Sequence, residues 1–553
     1  MNEDLNKSVV LVILDGWGIA QPSPGNAVAL SKTTNFNRMW ASYPHTLLTA
    51  SGEAVGLPRN EAGNTETGHL NLGAGKIVYQ DLERINMSIA DGTFFNNPEI
   101  KNAIDHAITN DSSLHLLGLI GAGGVHSNID HLFALIRYVK TQNFSNLFIH
   151  IITDGRDSPP TSSVTYIARL EEELMREGIG KIASVMGRYW GMDRDRRWDR
   201  TEKAYLALTE GKGLLVKSPA EGVKISYQEG KTDEFVEPSL ISDKTGNPIK
   251  LIGNNDSVIF FNFRIDRPRQ LTAAFVAKEF SDESISLDFD PYLEKYEKTH
   301  IASKVLNYQK VFDRKLFLNN LHFATMTEYS KSLVQAGIHV IFPPENINNP
   351  LGRIISDQNL RQLRLSESEK ERFVTYYFNG QRENPFPGED RMIIPSPNVT
   401  TYDQKPEMSA VEITDKLLER LKENMKYSFI LVNFANTDMV AHTGNIGPTV
   451  VACETVDYCL GKIFNYILAF GGFLLITADH GNAEEMVNLR TGQIDTEHSN
   501  NPVPFIAISK NLLGKQQTIQ SGILADIAPT ILSLLKIPVP STMTGRNLLE
   551  GLV

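Results

Sequence analysis

The sequence is poor in cysteine, in long apolar runs and in net positive charge. Only Cys453 and Cys459 occur among 553 residues, so no disulfide framework is implied and a reducing cytoplasm fits. Their apolar neighbours point to buried structural thiols rather than nucleophiles. No apolar stretch reaches the length of a membrane span, since Ser8 to Leu14 is too short. The start Met-Asn-Glu-Asp is not the basic leader of a signal peptide. Net charge is -11, which leaves a general nucleic-acid-binding role without support. The expectation is a cytoplasmic monomer that engages neither nucleic acid nor membrane. An acidic chain can still hold a small anion where arginines converge.

What is present is an ordinary globular balance, 41% apolar and 22% charged, over a length that suits two or more domains. Val9 to Leu14 reads as a buried strand of a parallel sheet and ends at Asp15-Gly16-Trp17-Gly18. Leu114 to Ile120 ends in Gly123-Gly124-Val125-His126. Asn146 to Ile152 ends in Asp154-Gly155-Arg156-Asp157, Ile182 to Met186 in Gly187-Arg188, and Val258 to Phe263 in Arg264 and Arg267. Leu82 to Ile89, Pro98 to Thr109, Ser163 to Glu177 and Met408 to Asn424 read as helices. This alternation argues two α/β units. Strand ends carry carboxylate in the first and arginine or histidine in the second. Phe280 to Asn307 reads as a charged excursion, with Phe312-Asp313-Arg314 as the return linker. Two late strands, Phe429 to Phe434 and Phe473 to Thr477, run into Asp438 with His442 and into Asp479 with His480. His498 follows.

Asp15, Asp438, Asp479, His442, His480 and His498 form a mixed oxygen and nitrogen set, which suits Mn or Zn better than Ca or Mg. Asp438 and His442 are four apart and can face one ion from a turn. Asp479 and His480 are adjacent, so they suit two ions, or one ion at a sharp bend. Two ions about 4 Å apart are a common device for in-line phosphoryl displacement. Gly63-Asn64-Thr65-Glu66-Thr67-Gly68-His69 adds a hydroxyl at the start of a helix, where backbone N–H groups suit phosphate. A helix-capping threonine is the plainer reading of Thr65. A bound metal would lower the pKa of its hydroxyl and make it a nucleophile. Arg156, Arg188, Arg194, Arg264 and Arg267 can grip phosphate or carboxylate in bidentate fashion.

The motifs resemble one family over nearly the whole length. They include Leu14-Asp15-Gly16-Trp17-Gly18, Gly68-His69-Leu70-Asn71, Gly123-Gly124-Val125-His126-Ser127 and Asp154-Gly155-Arg156-Asp157. Further on come Gly187-Arg188-Tyr189, Asp193-Arg194-Asp195, Phe263-Arg264 with Asp266-Arg267, and Glu369-Lys370. Gly388-Glu389-Asp390-Arg391, Tyr402-Asp403 with Lys405-Pro406-Glu407-Met408, and Asp479-His480-Gly481-Asn482 close the series. The chain resembles the cofactor-independent phosphoglycerate mutases of the alkaline-phosphatase superfamily.

The resemblance implies an α/β fold with an alkaline-phosphatase-like metal domain, 1–80 and 316–553, and an inserted transferase-like, substrate-binding domain, 81–315. It implies two divalent ions, typically manganese. Asp438, His442 and His498 would hold one, and Asp15, Thr65, Asp479 and His480 the other. Thr65 would be phosphorylated in turnover and Lys370 would neutralise the phosphoryl group. His126, Arg156, Asp157, Arg188, Arg194, Arg264 and Arg267 would bind phosphoglycerate, with Asp157 carrying a proton. The implied activity is interconversion of 2- and 3-phosphoglycerate. A phosphatase of the same superfamily is the second reading, and a metal-binding protein without turnover the third. The chain departs from the family at Thr65, where serine is usual, and at Gly121-Ala122, commonly Ser-Asp. It departs again at Asn128 and Phe373, where histidines are common, and in the Phe280 to Asn307 excursion.

Overall fold

A computed structural model describes residues 8–281, 310–422, 427–515 and 519–553. The chain divides into two compact units, Met1–Gln80 with Glu345–Val553 and Asp81–Pro344. Both are α/β, each built on an eight-stranded sheet. Among the described residues no helix is long and apolar enough to cross a membrane.

In the first unit the sheet order is Glu389–Ile394, Arg361–Glu367, Tyr427–Phe434, Val9–Leu14, Phe473–Thr477, Val503–Ile508, His45–Thr49 and Gly522–Ile523. The first five run parallel; Val503–Ile508 is antiparallel to both its neighbours. Val9–Leu14 is central and every residue in it is buried, as expected of a strand covered by helices on both faces. Its register aligns Leu14 with Phe434 and Ile13 with Thr477. Three parallel strands therefore end at one edge, the place where open α/β sheets bind ligands. Helix Ile446–Phe470 covers this sheet and buries both Cys453 and Cys459. Burial raises both thiols, to about 12 and about 11, so neither is a nucleophile near neutrality.

In the second unit the order is His339–Phe342, His322–Thr327, Ser257–Phe260, Leu114–Ile120, Leu147–Thr153, Lys181–Gly187, Ser239–Ile241 and Leu214–Val216. Among the described strands of this sheet only Lys181–Gly187 with Ser239–Ile241 pairs antiparallel. Alternation along Leu114–Ile120 sorts the core onto two faces. Leu114, Leu116 and Ile120 join one apolar cluster, Leu117 and Leu119 the other.

The return to the first unit differs from the sequence expectation of residue 316. The chain first adds two strands to the inserted sheet, and the units divide at 344/345. His322–Thr327 lies parallel to Ser257–Phe260, with all six of its residues buried. Phe312-Asp313-Arg314 belongs to the inserted unit too: Phe312 packs in its core, and Arg314 donates to the carbonyl of Ala274 at 2.8 Å. Residues 282–309, most of the expected charged excursion, lie outside the described residues.

Candidate metal centre and anion site

In the first unit, strand ends and one helix start deliver the charged side chains to a common point. Asp15 directly follows Val9–Leu14. Asp438 lies on the short helix Asn436–Ala441 after Tyr427–Phe434, with His442 capping it. Asp479 and His480 follow Phe473–Thr477. Thr65 opens helix Thr65–Ala74, which is buried almost all round. Close approach depends on glycine: a Cβ on Gly68 would lie 2.6 Å from the Asp479 carbonyl oxygen, and one on Gly16 2.8 Å from Asp438 Cα. Gly16 also has φ +71°, a conformation that favours glycine.

Thr65 is not the helix cap. Asn64 is, its Oδ1 accepting from the Thr67 N–H at 2.9 Å. The Thr65 hydroxyl is thereby available to the centre. Its Oγ1 lies 2.9 Å from His480 Nε2 and accepts from Lys370 Nζ at 3.1 Å. Lys370 Nζ also donates to Asp15 Oδ1 at 2.8 Å and Asp438 Oδ2 at 2.7 Å.

The histidine orientations provide a test of metal binding. His442 Nδ1 faces the Thr496 carbonyl at 2.8 Å, His498 Nδ1 the Gly63 carbonyl at 2.8 Å, and His480 Nδ1 the Gly481 carbonyl at 3.3 Å. A ring nitrogen facing a carbonyl carries a proton, and Nε2 is then the atom that each ring turns toward the carboxylates. Metal-ligating histidines are oriented in this way. His442 Nε2 and His498 Nε2 stand 3.1 Å apart, and 3.1 and 3.3 Å from Asp438 Oδ1. His480 Nε2 is 3.5 Å from Asp15 Oδ1 and 3.6 Å from Asp479 Oδ2. Imidazole nitrogens and carboxylate oxygens at such distances repel unless a proton or a metal cation lies among them. Divalent ions therefore fit this donor set. Asp438, His480 and His498 form one group able to hold an ion, and Asp15, Asp479 and His480 another. His480 thus belongs to both.

The titration behaviour carries the same message. Burial opposes ionisation of Asp438 and Asp479, yet Lys370 and the imidazoles hold both below the usual carboxylate range. Burial would lower His480, but Asp479, Asp15 and Asp438 raise it to about 9. It would lower Lys370 as well, and Asp15, Asp438 and Asp479 raise it instead. A centre with three buried carboxylates draws cations from whatever source it has.

The second unit holds a separate cationic cluster at the carboxyl ends of its strands. Arg188, which follows Lys181–Gly187, donates through Nη1 to Asp154 Oδ1 and to Asp157 Oδ2, each at 2.5 Å. Arg194 Nη1 donates to Asp266 Oδ2 at 2.6 Å, Arg264 Nε to Asp266 Oδ1 at 3.2 Å, and Arg267 Nη1 to the Met192 carbonyl at 3.3 Å. His126 lies 3.8 Å from Asp157 and 3.7 Å from Asp266. Burial, then Arg188, pushes its imidazole down to about 2, so it is neutral. Burial, with Arg188 and Arg194, lowers Arg267 to about 10, as crowding of like charges requires. Arg156 is drawn aside: it is half exposed and reaches Glu234 at 3.7 Å.

The family model described as BPG-independent PGAM N-terminus matches residues 85–331. The 2,3-bisphosphoglycerate-independent phosphoglycerate mutase of Moorella thermoacetica is 46% identical over 545 residues, covering 99% of both chains. That of Clostridium beijerinckii is 47% identical over 543 residues, covering 98% of this chain and 99% of its own. The chain belongs to the 2,3-bisphosphoglycerate-independent phosphoglycerate mutase family. Among solved structures, a phosphoglycerate mutase of Leishmania mexicana, determined at low cobalt concentration, matches with TM-score 0.57 and 26% identity. It covers 99% of this chain and 98% of that one.

Within this mutase-family chain, several residues that support the two clusters escape a reading by charge and position. Asn433 Nδ2 donates to Asp15 Oδ2 at 2.8 Å and faces His69 Nε2 at 3.1 Å. His69 Nδ1 in turn faces the Thr65 carbonyl at 3.0 Å and Asp479 Oδ2 at 3.2 Å. Asn482 Nδ2 donates to Asp438 Oδ1 at 2.9 Å. All three are fully buried. Glu484 accepts from the Gly18 and Asn482 N–H groups, both at 2.9 Å, and joins two loops beside the centre. His69, Asn482, Asp154 and Asp266 fall inside motifs visible in the sequence. Their signal was masked by neighbours with more obvious ligand chemistry.

Proposed function

We propose that this chain is an isomerase that interconverts 2-phosphoglycerate and 3-phosphoglycerate through phosphorylated Thr65. The observation that carries this is the Thr65 hydroxyl, released from capping by Asn64 and held between His480 and Lys370. In the first half-reaction the Thr65 hydroxyl gives up its proton to solvent and Oγ1 forms a P–O bond as the substrate's ester bond breaks. Lys370 Nζ, beside Oγ1, Asp15 and Asp438, neutralises charge on the phosphoryl group. Asp157 gives a proton to the departing glycerate oxygen and takes one from the other hydroxyl on return. Arg188, paired to Asp157, fixes the carboxylate that does this.

Two divalent ions, manganese by preference, would be held by Asp438, His442 and His498 and by Asp15, Thr65, Asp479 and His480. Bound there, they would lower the pKa of the Thr65 hydroxyl and spread phosphoryl charge. Three imidazole donors favour manganese over magnesium, which strongly prefers oxygen. The buried Arg188 and the partly buried Arg267, with Arg194, Arg264 and His126, would hold the glycerate and its acidic groups. Such a holder favours the mutase over a phosphatase, which has no need to retain the alcohol. The test feeds 3-phosphoglycerate to the manganese-loaded enzyme, couples product to enolase and seeks phosphothreonine by mass spectrometry. Free phosphate as the main product overturns the proposal.

A further inference from the structure

The anion site contains a carboxylate that charge alone argues against. Asp266 has a fully buried side chain, yet it sits among the cations that would receive an anionic substrate. Its Oδ2 accepts from Arg194 Nη1 at 2.6 Å and its Oδ1 from Arg264 Nε at 3.2 Å, with His126 Nδ1 3.7 Å away. These partners arrive on different loops. His126 follows strand Leu114–Ile120, Arg194 the short helix Arg188–Gly191, and Arg264 strand Ser257–Phe260. One carboxylate therefore hydrogen-bonds side chains of two of these loops and lies beside the third.

Asp266 is two residues from Arg264 and one from Arg267, so its own loop delivers two of the guanidinium groups. Arg188, Arg194, Arg264 and Arg267 repel one another when brought together, and burial of Arg267 intensifies this. Removing a negative charge from their midst would strengthen a long-range field for anions. It would also release the geometry that a bidentate grip on phosphate or carboxylate needs. Removing one partner of an ion pair releases the other from the geometry that the pair imposed, and misplacement of a binding group by about 1 Å can cost about 100-fold. Geometry outweighs the field at these distances.

We infer that Asp266 is a positioning residue for the anion site: it fixes Arg194 and Arg264, beside the His126 ring, in the arrangement that takes phosphoglycerate. This rests on the mutase reading proposed above. It predicts that deleting an anion weakens binding of an anion, the opposite of a pure charge effect.

The experiment compares manganese-loaded wild type, Asp266→Asn and Asp266→Glu. It measures metal content, circular dichroism, kcat and KM for 3-phosphoglycerate, and calorimetric Kd for the same ligand. Asp266→Asn keeps the shape and an acceptor oxygen but removes the charge. Asp266→Glu keeps the charge but displaces the carboxylate by one methylene, and it serves as the test should the asparagine variant not fold. Both variants are expected to raise KM and Kd about tenfold or more, to change kcat less than about threefold, and to keep full metal. A lower or unchanged KM in Asp266→Asn, or a wild-type KM in Asp266→Glu, overturns the inference. A wild type that makes no 2-phosphoglycerate overturns the mutase reading itself, and that arm is read before the variants.

Discussion

Thr65 adds a methyl group and a stiffer χ1 to a hydroxyl whose contacts to His480 and Lys370 need only the oxygen. Thr65→Ser is therefore expected to keep at least about a third of the mutase rate. Thr65→Ala should lose about 1,000-fold or more, because it deletes the phosphoryl acceptor. Mutase rates of the two purified variants, with their melting temperatures, check this. An alanine variant that folds and still isomerises removes Thr65 from the mechanism. A second residue-scale expectation concerns Glu367, fully buried at the end of Arg361–Glu367. Burial raises its carboxyl from 4.5 to about 7. The folded state thus binds a proton more tightly than the unfolded state does. Stability from this group is fully present below about pH 4.5 and is lost as pH rises through about 7. Glu367→Gln should match wild type at pH 4.5 and exceed it at pH 8 by up to about 3 kcal/mol in urea unfolding. Equal pH dependence of the two proteins would contradict the assignment.

At the scale of elements, the strands that end in the site are the most legible part of the sequence. Val9–Leu14 and Phe473–Thr477 are unbroken apolar runs stopped by a charged turn, and their bounds in the structure are those read from the sequence. The later return of the chain is less legible. His322–Thr327 takes its place from a parallel ladder with Ser257–Phe260, a long-range pairing that local pattern does not encode. The same limit hides Asn433 and Asn482: an amide is unremarkable in sequence and acquires its role only beside Asp15 or Asp438. Thr65 is legible as the start of a helix, but its release from capping depends on Asn64. This separation is testable. Asn64→Ala should cost about 1 kcal/mol of stability through the lost cap. Gly68→Ala should do something different, because its Cβ would lie 2.6 Å from the Asp479 carbonyl oxygen. Backbone has no rotamer to yield, so helix Thr65–Ala74 must shift relative to Asp479. Metal affinity and activity are expected to fall about tenfold or more, read by metal titration and turnover. A Gly68→Ala enzyme with wild-type affinity and rate would show that the helix does not need this close approach.

Across the whole molecule the two chemistries are divided between the two units. Asp15, Thr65, Lys370, Asp438, His442, Asp479, His480 and His498 all belong to Met1–Gln80 with Glu345–Val553, whereas the arginine cluster belongs to Asp81–Pro344. Ion binding should therefore stabilise one unit selectively. Without metal, the first unit keeps three buried carboxylates facing inward-pointing imidazole nitrogens, with Lys370 as their fixed cation. That arrangement opens more easily than a satisfied one, and a ligand that binds only the closed form suppresses opening in proportion to RT ln(1 + [L]/Kd), about 2.7 kcal/mol at 100 Kd. Amide hydrogen exchange of chelated and manganese-loaded protein reads this segment by segment. Protection is expected to rise about 10-fold or more around Asp15, Thr65, Asp438, Asp479 and His498. It should change less than about twofold around His126, Arg188 and Arg264. Magnesium at the same concentration should protect less, because the three imidazole donors suit it poorly. Uniform protection of both units, or equal protection by the two metals, would show that the ions are not held by this histidine and carboxylate set.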